Sequence, residues 1–432
     1  MNDLKVASKL KHIGFISTRI AGTDGVSLEI GKWAAIMESL GLKCFYFAGE
    51  LDRPDDKSYF APEAHFTHPE IAEINQACFG VTSRDRATTQ KIHELSRTLK
   101  DHLYAFVDRF DIHMIVPENA LTIPMNIPLG IAITEFIAET NFLTLAHHHD
   151  FYWERDRFAI NAVSDYLRMA FPPDLPTIKH AVINSFADEQ LSLRTGISAR
   201  IAPNVMDFEN PPPPPDDYTS DVRQAFGIGA DELFVLQPTR VVKRKGIEHA
   251  IELVHRLGMK AKLVISHASG DEGDDYENRI REYSALMKVD TIFVSDTIDE
   301  HRGTTPDGRK IYTLEDIYPY ADLVTYPSTF EGFGNAFLEA IYFRKPVVVN
   351  LYSIYMVDIK PKGFSAIELD GYVTDAAVRQ TRKILEDPEL RKKMVDQNYE
   401  IAKEFFSYAI LRHNVKSFLE EPASVLKHFN YY

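Results

Sequence analysis

This chain of 432 residues has few cysteines and no net positive charge. Its two cysteines, Cys44 and Cys78, are too few for a framework of disulfides. Acidic side chains outnumber basic ones by 63 to 48, and the resulting formal net charge of -15 disfavours nucleic acid and anionic lipid as partners. Residues 1–15 contain no apolar stretch of the length that a secretory signal needs. A reducing cytoplasm is therefore the expected location.

Long apolar runs are also scarce, and only residues 120–138 could be mistaken for a membrane span. That segment contains Pro124, Asn126, Pro128 and Glu135. In hydrocarbon these residues would leave unpaired backbone groups and a buried carboxylate. The segment therefore predicts a loop followed by a helix buried in protein.

The length and the hydrophobic fraction of 45% predict two domains, each with its own core. Short β-branched and aromatic runs alternate with amphipathic segments, which is typical of parallel strands joined by helices. The predicted strands lie in residues 12–18, 43–49, 111–119, 142–149, 180–185, 233–239, 262–267, 291–296, 321–328 and 346–350, and the predicted helices include 27–41, 246–258 and 335–344. Five consecutive prolines, residues 211–215, interrupt the series and indicate a stiff linker.

We accordingly predict an α/β protein with two Rossmann-like, doubly wound domains that face each other across a cleft. The predicted divisions are a first domain at 1–207, a linker at 208–220, a second domain at 221–405 and terminal helices at 406–432 that return to the first domain.

The most informative motif is YPSTFEGFGNAFLEAIYFRKPVVVN, in which a strand leads through a glycine turn into a helix near Asn335. A helix N-terminus presents unpaired N–H groups and a positive dipole end, which together favour a diphosphate. Glu331 lies in the turn, and Glu339 follows about one helical turn inside the helix. A carboxylate at the second position can accept hydrogen bonds from the vicinal hydroxyls of a ribose.

A second motif, LQPTRVVKRKGIEHA, places Arg240 and Lys245 between a strand and a helix. These cations can stabilise the negative charge that grows on a departing nucleoside diphosphate. The alternative is an ordinary solvated basic surface. The glycine turn downstream favours the functional interpretation, because strand ends converge at one edge of a doubly wound sheet.

From Pro203 to about Asn350, these motifs resemble the family 4 retaining glycosyltransferases of the GT-B type. Other parts of the resemblance are PNVMDF, the VSD segment at 294–296 and, more weakly, GTDGVS at 22–27 and the pair His149-Asp150. The resemblance implies a hexosyltransferase that uses a nucleoside diphosphate sugar, retains the anomeric configuration and requires no metal and no cofactor. The chain departs from the family pattern at residues 342–345, YFRK, where different packing is expected.

The catalytic and donor-binding residues follow from the same resemblance. The implied catalytic set is Glu331, Arg240, Lys245 and His149, with Glu331 and His149 facing the donor sugar. The implied donor-binding set is Gly25, Arg240, Lys245, Val294, Phe333, Gly334, Asn335, Ala336 and Glu339. The acceptor is expected to contact Arg19, Asp150, Trp153, Arg155 and Arg157, and these arginines favour an anionic or densely hydroxylated molecule.

The histidine run LAHHHDFYWERDRF invites a metal site at His147, His148, His149 and Asp150. Consecutive side chains of a strand point to opposite faces, and no spaced carboxylate or cysteine is evident in the sequence. No metal site is therefore predicted.

The function predicted is transfer of a glucose or mannose to a small soluble acceptor such as a sugar, sugar acid or sugar phosphate, in compatible-solute synthesis. The sequence does not decide between two donors, UDP-glucose, which is the first choice, and GDP-mannose. It also does not decide whether the protein forms a homo-oligomer. The competing functions are a nucleotide-sugar epimerase or a phosphorylase on the same scaffold, and a sugar-nucleotide sensor without catalysis.

Overall fold

The computed structural model describes residues 10–22, 24–269, 273 and 275–420. Residues 1–9, Thr23 and residues 421–432, which belong to segments interpreted above, lie outside the described residues. The chain divides into two compact units, Met1–Asn204 with Ala409–Tyr432, and Val205–Tyr408.

The first unit is built on a parallel sheet of seven strands in the order β3-β2-β1-β4-β5-β6-β7. The strands are β1 (His12–Ile16), β2 (Lys43–Ala48), β3 (Ser58–Phe60), β4 (Met114–Pro117), β5 (Thr144–His148), β6 (Ile178–Val182) and β7 (Ala199–Ile201). The helices are α1 (Gly25–Ser39), α2 (Pro69–Cys78), α3 (Arg86–Phe110), α4 (Ile127–Thr140), α5 (Ser164–Ala170) and α6 (Ser185–Thr195). Strand β4 is buried along its whole length, as expected for a parallel strand covered on both faces.

The apolar segment 120–138 forms the predicted loop and buried helix. Helix α4 begins after Asn126, whose side chain accepts from the Leu129 N–H at 2.9 Å and donates to the carbonyl of Glu63 at 2.8 Å. Glu135 reaches the surface of this helix and pairs with Lys100 at 2.7 Å. Among the described residues, no helix combines the length and the apolar character that crossing a membrane requires.

The second unit contains a parallel sheet of six strands in the order β10-β9-β8-β13-β14-β15 and a small antiparallel hairpin, β11-β12. The strands are β8 (Leu233–Gln237), β9 (Ala261–Ile265), β10 (Asp290–Phe293), β11 (Gly303–Thr304), β12 (Lys310–Ile311), β13 (Leu323–Tyr326), β14 (Val347–Asn350) and β15 (Ile367–Leu369). The helices are α7 (Val222–Ala225), α8 (Ile247–Leu257), α9 (Asp275–Leu286), α10 (Leu314–Ile317), α11 (Asn335–Tyr342), α12 (Asp375–Glu386) and α13 (Pro388–Phe405). Both large sheets are parallel and flanked by helices, which confirms the predicted α/β class.

The proline-rich segment belongs to the second unit. Just after it, the Tyr218 hydroxyl donates to the carbonyl of Ile311 at 2.7 Å, and Asp216 pairs with Arg302 at 2.6 Å. These bonds attach the segment to the β11-β12 hairpin and its flank.

A final helix, α14 (Tyr408–Glu420), belongs from Ala409 onward to the first unit. The ring of Phe418 stacks on Trp33 at a centroid distance of 6.3 Å, and Lys179 donates to the Phe418 carbonyl at 2.7 Å. The chain therefore returns to the first unit, as predicted from the two-domain architecture.

Candidate active site

The glycine turn of the second unit joins β13 to α11. Gly334 has a φ of +131°, and a Cβ at this position would lie 2.3 Å from the Tyr352 hydroxyl oxygen. That hydroxyl donates to the carbonyl of Phe333 at 2.9 Å. Position 334 therefore requires glycine. The helix begins at Asn335, so its positive dipole end faces the turn.

Two predicted donor contacts in this turn have buried side chains. Phe333 is 3% exposed and packs edge-on against Phe406 at 5.4 Å, and Ala336 is 8% exposed. Their side chains serve packing, so a ligand would meet mainly their backbone. This agrees with a phosphate-binding turn that acts through N–H groups.

The cationic turn of the second unit is the 3₁₀ segment Lys243–Lys245 between β8 and α8. It is held against the segment that follows β13, because the Thr329 N–H donates to the Arg244 carbonyl at 2.8 Å. Gly246, at φ +59°, passes so close that a Cβ there would lie 2.5 Å from the Pro327 carbonyl oxygen. The fold thus brings together two motifs that are far apart in sequence.

Glu331 lies between two cations of that turn. Its Oε1 contacts the ammonium of Lys245, and its Oε2 accepts from the Arg244 guanidinium at 3.2 Å. Burial alone would raise the pKa of Glu331, but the charges of Lys245 and Arg244 outweigh it and hold the pKa below its ordinary value. Glu331 is therefore an ionised carboxylate although it is 8% exposed.

Arg240 and Lys245 both influence the pKa of His267, which follows β9. Burial and the positive charges of these two residues lower the pKa of His267 to about 4. The imidazole is therefore neutral near pH 7, and its Nδ1 lies 2.7 Å from the Ser266 hydroxyl. The two predicted phosphate-binding cations share one neighbourhood, in which Arg240 is exposed and Lys245 is buried.

Glu339 is oriented by a tyrosine that the motif did not indicate. The Tyr318 hydroxyl donates to its Oε2 at 2.8 Å, and Tyr318 is 1% exposed. The ring of Phe343 stacks on Tyr318 at 4.8 Å with an interplanar angle of 5°. Phe343 is one of the four residues that depart from the family pattern. The different packing at these positions therefore holds the ring of Tyr318, which is the hydrogen-bond partner of Glu339.

Val294 lies one residue beyond strand β10, so the prediction that residues 294–296 form a strand was wrong. Its N–H donates to the Ile265 carbonyl at 3.0 Å, but its carbonyl then accepts from the Thr297 N–H at 2.9 Å. This turn hydrogen bond ends the ladder. Val294 itself is 6% exposed.

In the first unit, the histidine run divides between two faces of β5, as the strand period predicted. His148 points to one side and its Nε2 lies 2.8 Å from His180 Nδ1. His147 and His149 point to the other side and meet Glu118, which follows β4. Burial first, and then neighbouring histidines, lower the pKa of His148 well below its ordinary value.

The view that this run lacks a spaced carboxylate was wrong, because Glu118 supplies one through the fold. The donor atoms of Glu118, His147 and His149 lie within 4.8 Å of one another. Their separations from the Glu118 Oε2, 2.8 Å for His147 Nδ1 and 3.1 Å for His149 Nε2, are hydrogen-bond lengths. We interpret the three side chains as a hydrogen-bonded cluster.

Asp150 and Arg155, both predicted to contact the acceptor, are partners of each other. The Arg155 Nε donates to the Asp150 Oδ2 at 2.5 Å, and Asn119 Nδ2 donates to the Asp150 Oδ1 at 2.9 Å. The Arg155 side chain remains 44% exposed. An anionic acceptor would therefore meet a guanidinium that Asp150 already orients.

Trp153 and Arg157 lie on the segment that follows. Trp153 stacks on Phe151 at 4.5 Å with an interplanar angle of 4°, so its ring serves packing. The Arg157 guanidinium lies 4.5 Å from the ring centroid of Phe158. Between them, burial and the charge of Asp150 raise the pKa of Glu154 to about 7.

Arg19 and Gly25 lie in the loop after β1 and at the start of α1. Arg19 pairs with Asp24 at 3.3 Å, and Asp24 caps α1 by accepting from the Val26 N–H at 3.1 Å. Gly25 is the first residue of that helix and is exposed. Since β1, β4 and β5 are neighbours in a parallel sheet, Arg19, Glu118 and His149 follow the same carboxyl edge.

Five residues that contribute to these arrangements escaped the motif analysis. Arg244 stood inside a quoted motif, beside Lys245, and its charge was a usable signal. The other four, Glu118, His267, Tyr318 and Tyr352, act through contacts that no local pattern records.

Residues 219–401 match the family described as glycosyl transferases group 1. The mannosylglucosylglycerate synthase of Thermotoga maritima is 30% identical over 428 residues, covering 91% of this chain and 96% of that protein. The enzyme of the same name from Petrotoga mobilis is 31% identical over 380 residues, covering 83% and 86%.

Among solved structures, a glycosyltransferase from Rickettsia africae superposes with a TM-score of 0.67, covering 97% of this chain and 99% of that one at 13% identity. At that identity the likeness concerns the fold alone. The sequence relatives, in contrast, extend over both units. The chain therefore belongs to the group 1 glycosyl transferases and is a glycosyltransferase with the GT-B fold.

Proposed function

We propose that this enzyme transfers a mannosyl group, with retention of configuration and without a metal ion, from a nucleoside diphosphate sugar to a glucosylated glycerate. The observation that carries the proposal is the similarity to two mannosylglucosylglycerate synthases, which extends over most of each chain. Their name describes a product made of mannose, glucose and glycerate. It favours a mannosyl donor such as GDP-mannose over UDP-glucose, and it does not favour the epimerase, phosphorylase or sensor functions.

The second unit supplies the donor contacts in this proposal. Arg240 and Lys245 bind the diphosphate, and Glu339 binds the ribose hydroxyls. Lys245 has three N–H donors, so it can contact Glu331 and a phosphate oxygen together. The positive end of α11 adds to the charge that stabilises the leaving diphosphate.

The catalytic scheme follows from these contacts. The diphosphate leaves from the face that the acceptor hydroxyl approaches, and a phosphate oxygen accepts the proton of that hydroxyl. The anomeric configuration is thereby retained. The protein cations neutralise the negative charge of the leaving diphosphate, as a metal ion would otherwise do. The scheme therefore has no step that needs a metal ion.

The first unit supplies the acceptor contacts. The glycerate carboxylate is an anion, and Arg155, Arg157 and Arg19 offer the charge that recognises it. A cytoplasmic location agrees with the free, buried state of Cys44 and Cys78.

The test is product formation by the purified full-length protein. Four donors, GDP-mannose, UDP-glucose, GDP-glucose and UDP-mannose, are each incubated with glucosylglycerate, glycerate or glucose. Each reaction is run in EDTA and in Mg²⁺. Mass spectrometry identifies the product, and the one-bond C–H coupling of the new anomeric carbon gives its configuration.

We expect one mannosylated product, formed from glucosylglycerate at the same rate in EDTA. A product with inverted configuration, or activity that disappears in EDTA, would contradict the mechanism. Transfer of glucose alone would contradict the donor assignment.

A further inference from the structure

Glu118 is a fully buried carboxylate that has no role in the proposed transfer reaction. The sheet places it beside the histidine that resembles the family's sugar-facing residue. Strands β4 and β5 are continued by a bridge between Glu118 and His147, and the Asn119 N–H donates to the His147 carbonyl at 2.9 Å. Because side chains two residues apart share a face, His147 and His149 both reach the same carboxylate.

One oxygen of Glu118 binds both rings. The Oε2 accepts from His147 Nδ1 at 2.8 Å and from His149 Nε2 at 3.1 Å. The ring of Trp33 packs against His147 at a centroid distance of 4.4 Å, which closes that side of the cluster. A carboxylate buried among such groups is stable only when it is paired and hydrogen-bonded.

His149 is the member of the cluster that can meet a ligand. Its side chain is 10% exposed, whereas those of Glu118 and His147 are 0% exposed. With Nε2 bonded to Glu118, the other ring nitrogen, Nδ1, has no hydrogen-bond partner among the described residues. The backbone is held as well, since the His149 N–H donates to the Asn119 Oδ1 at 3.1 Å.

We propose that Glu118 is a positioning residue for His149: it accepts a hydrogen bond from Nε2–H, fixes the ring, and stabilises a charged imidazolium whose Nδ1–H donates to a substrate oxygen. The inference rests on the proposed function for the identity of that substrate. The recognised chemistry is an oxygen that accepts a charge-assisted hydrogen bond, as a sugar hydroxyl or a carboxylate does. Glu118 acts through His149 and does not touch the substrate.

The surrounding charges agree with this role. Burial alone would lower the pKa of His149, but the hydrogen bond and charge of Glu118 outweigh it and raise the pKa above its ordinary value. Glu118 has a pKa below its ordinary value, because the two histidines outweigh the effect of its burial. The titratable groups that interact with His149 are Glu118, His147, Glu29 and Asp150, together with His148 through its charge from the other face of the strand.

The primary test is the titration of His149 in the full-length protein, followed by NMR of histidine labelled with ¹³C and ¹⁵N. His149→Asn serves only to assign the signal. In the unaltered enzyme we expect His149 to titrate above the ordinary value for histidine and to show a protonated Nε2. In Glu118→Gln, which keeps the shape and removes the charge, we expect the pKa of His149 to fall.

The matched control is Glu29→Gln. Glu29 is also buried and acts on the same imidazole, but it pairs with Lys32 at 2.6 Å and has no hydrogen bond to His149. Its replacement should move the pKa of His149 less than Glu118→Gln does and leave the Nε2 signal unchanged.

Activity gives the second readout. Because the proposal requires the protonated ring, activity should be lost as pH rises through the pKa of His149. Glu118→Gln should move this alkaline limb to lower pH and reduce kcat at least about tenfold. The donor KM should stay within about twofold, since the donor contacts of the second unit are unchanged.

Two results would overturn the inference. One is a His149 titration that is the same in the unaltered enzyme and in Glu118→Gln. The other is a stoichiometric metal ion in the purified protein that EDTA removes and that Glu118→Gln no longer binds. The titration needs no turnover, so the inference can fail while the proposed function stands. Equally, the proposed function can fail in the product assay while the titration supports the inference. If Glu118→Gln does not fold, an ordinary or lowered pKa of His149 in the unaltered enzyme contradicts the proposal by itself.

Discussion

The ammonium of Lys245 contacts the carboxylate of Glu331, and the side chains of the two residues are only 11% and 10% exposed. In sequence, these two residues are predicted to bind different parts of one donor, the diphosphate and the sugar. In the structure they are partners of each other, and Arg244 is the second partner of Glu331 at 3.2 Å. The anion site and the sugar site are therefore one electrostatic unit.

Replacing Glu331 by glutamine should destabilise the protein strongly. The change leaves Lys245 buried without its counter-charge, and breaking one side of a buried ion pair costs about 3–5 kcal/mol. Urea unfolding measures this loss. Asp231→Asn is the control, because its ion pair with Lys260 is exposed and should matter little. Equal effects of the two changes would contradict the importance of the buried pair.

The stability that Glu331 contributes should depend on pH in a defined direction. Its pKa is lower in the folded protein than in the unfolded chain, so the folded state favours the ionised form. The contribution is fully present above the unfolded pKa, about 4.5, and is lost as pH falls through the folded pKa. Unfolding measured from pH 7 downward should therefore show the gap between enzyme and Glu331→Gln narrowing in acid. A constant gap would show that ionisation of Glu331 does not matter.

Tyr318→Phe should weaken nucleotide binding. The change removes one hydrogen bond to Glu339, worth about 1 kcal/mol, so the donor KM should rise about fivefold while the fold persists. Tyr276→Phe is the matched control, since it removes a similar bond to Glu248 at 2.6 Å outside the glycine turn. Thermal shift with nucleotides and steady-state kinetics both report the difference. Equal donor KM values in the two variants would refute the orienting role.

Gly334→Ala should destabilise the turn by clash as well as by backbone strain. The new Cβ would lie 2.3 Å from the Tyr352 hydroxyl, at a φ of +131°. Gly371→Ala is the control for strain alone, because φ there is +75° and a Cβ would meet nothing within 4 Å. Adding Tyr352→Phe to Gly334→Ala should recover part of the lost melting temperature, since the clashing oxygen is removed. If it recovers nothing, the clash with Tyr352 is not the cause.

Replacing Arg155 and Arg157 together by glutamine should raise the KM for an anionic acceptor about tenfold, because a charge-assisted hydrogen bond contributes about 1.5–3 kcal/mol. The KM for the donor should not change. Arg168→Gln is the control, since Arg168 is an exposed arginine of α5 in the same unit. An unchanged acceptor KM in the double variant would exclude these arginines from acceptor binding.

Much of the architecture was predictable because each element carries its own pattern. A buried parallel strand such as β4 is a continuous apolar run, and α8 buries one face, so both are visible locally. The strands that escaped prediction, β3, β7, β15 and the β11-β12 hairpin, have three residues or fewer. Runs that short contain too few side chains to show a period.

The amino-acid sequence by itself determined the glycine turn, the cationic turn and the helix that begins at Asn335, because their residues are neighbours along the chain. Only the tertiary structure decided that Lys245 contacts Glu331 across 86 positions, that Tyr318 orients Glu339 across 21, and that Glu118 holds His147 and His149. The first and third of these contacts arise where neighbouring parallel strands end at one edge of a sheet, and the second joins the segment before β13 to the helix after it. Strand order and burial set that proximity, and neither is written in any short stretch of residues.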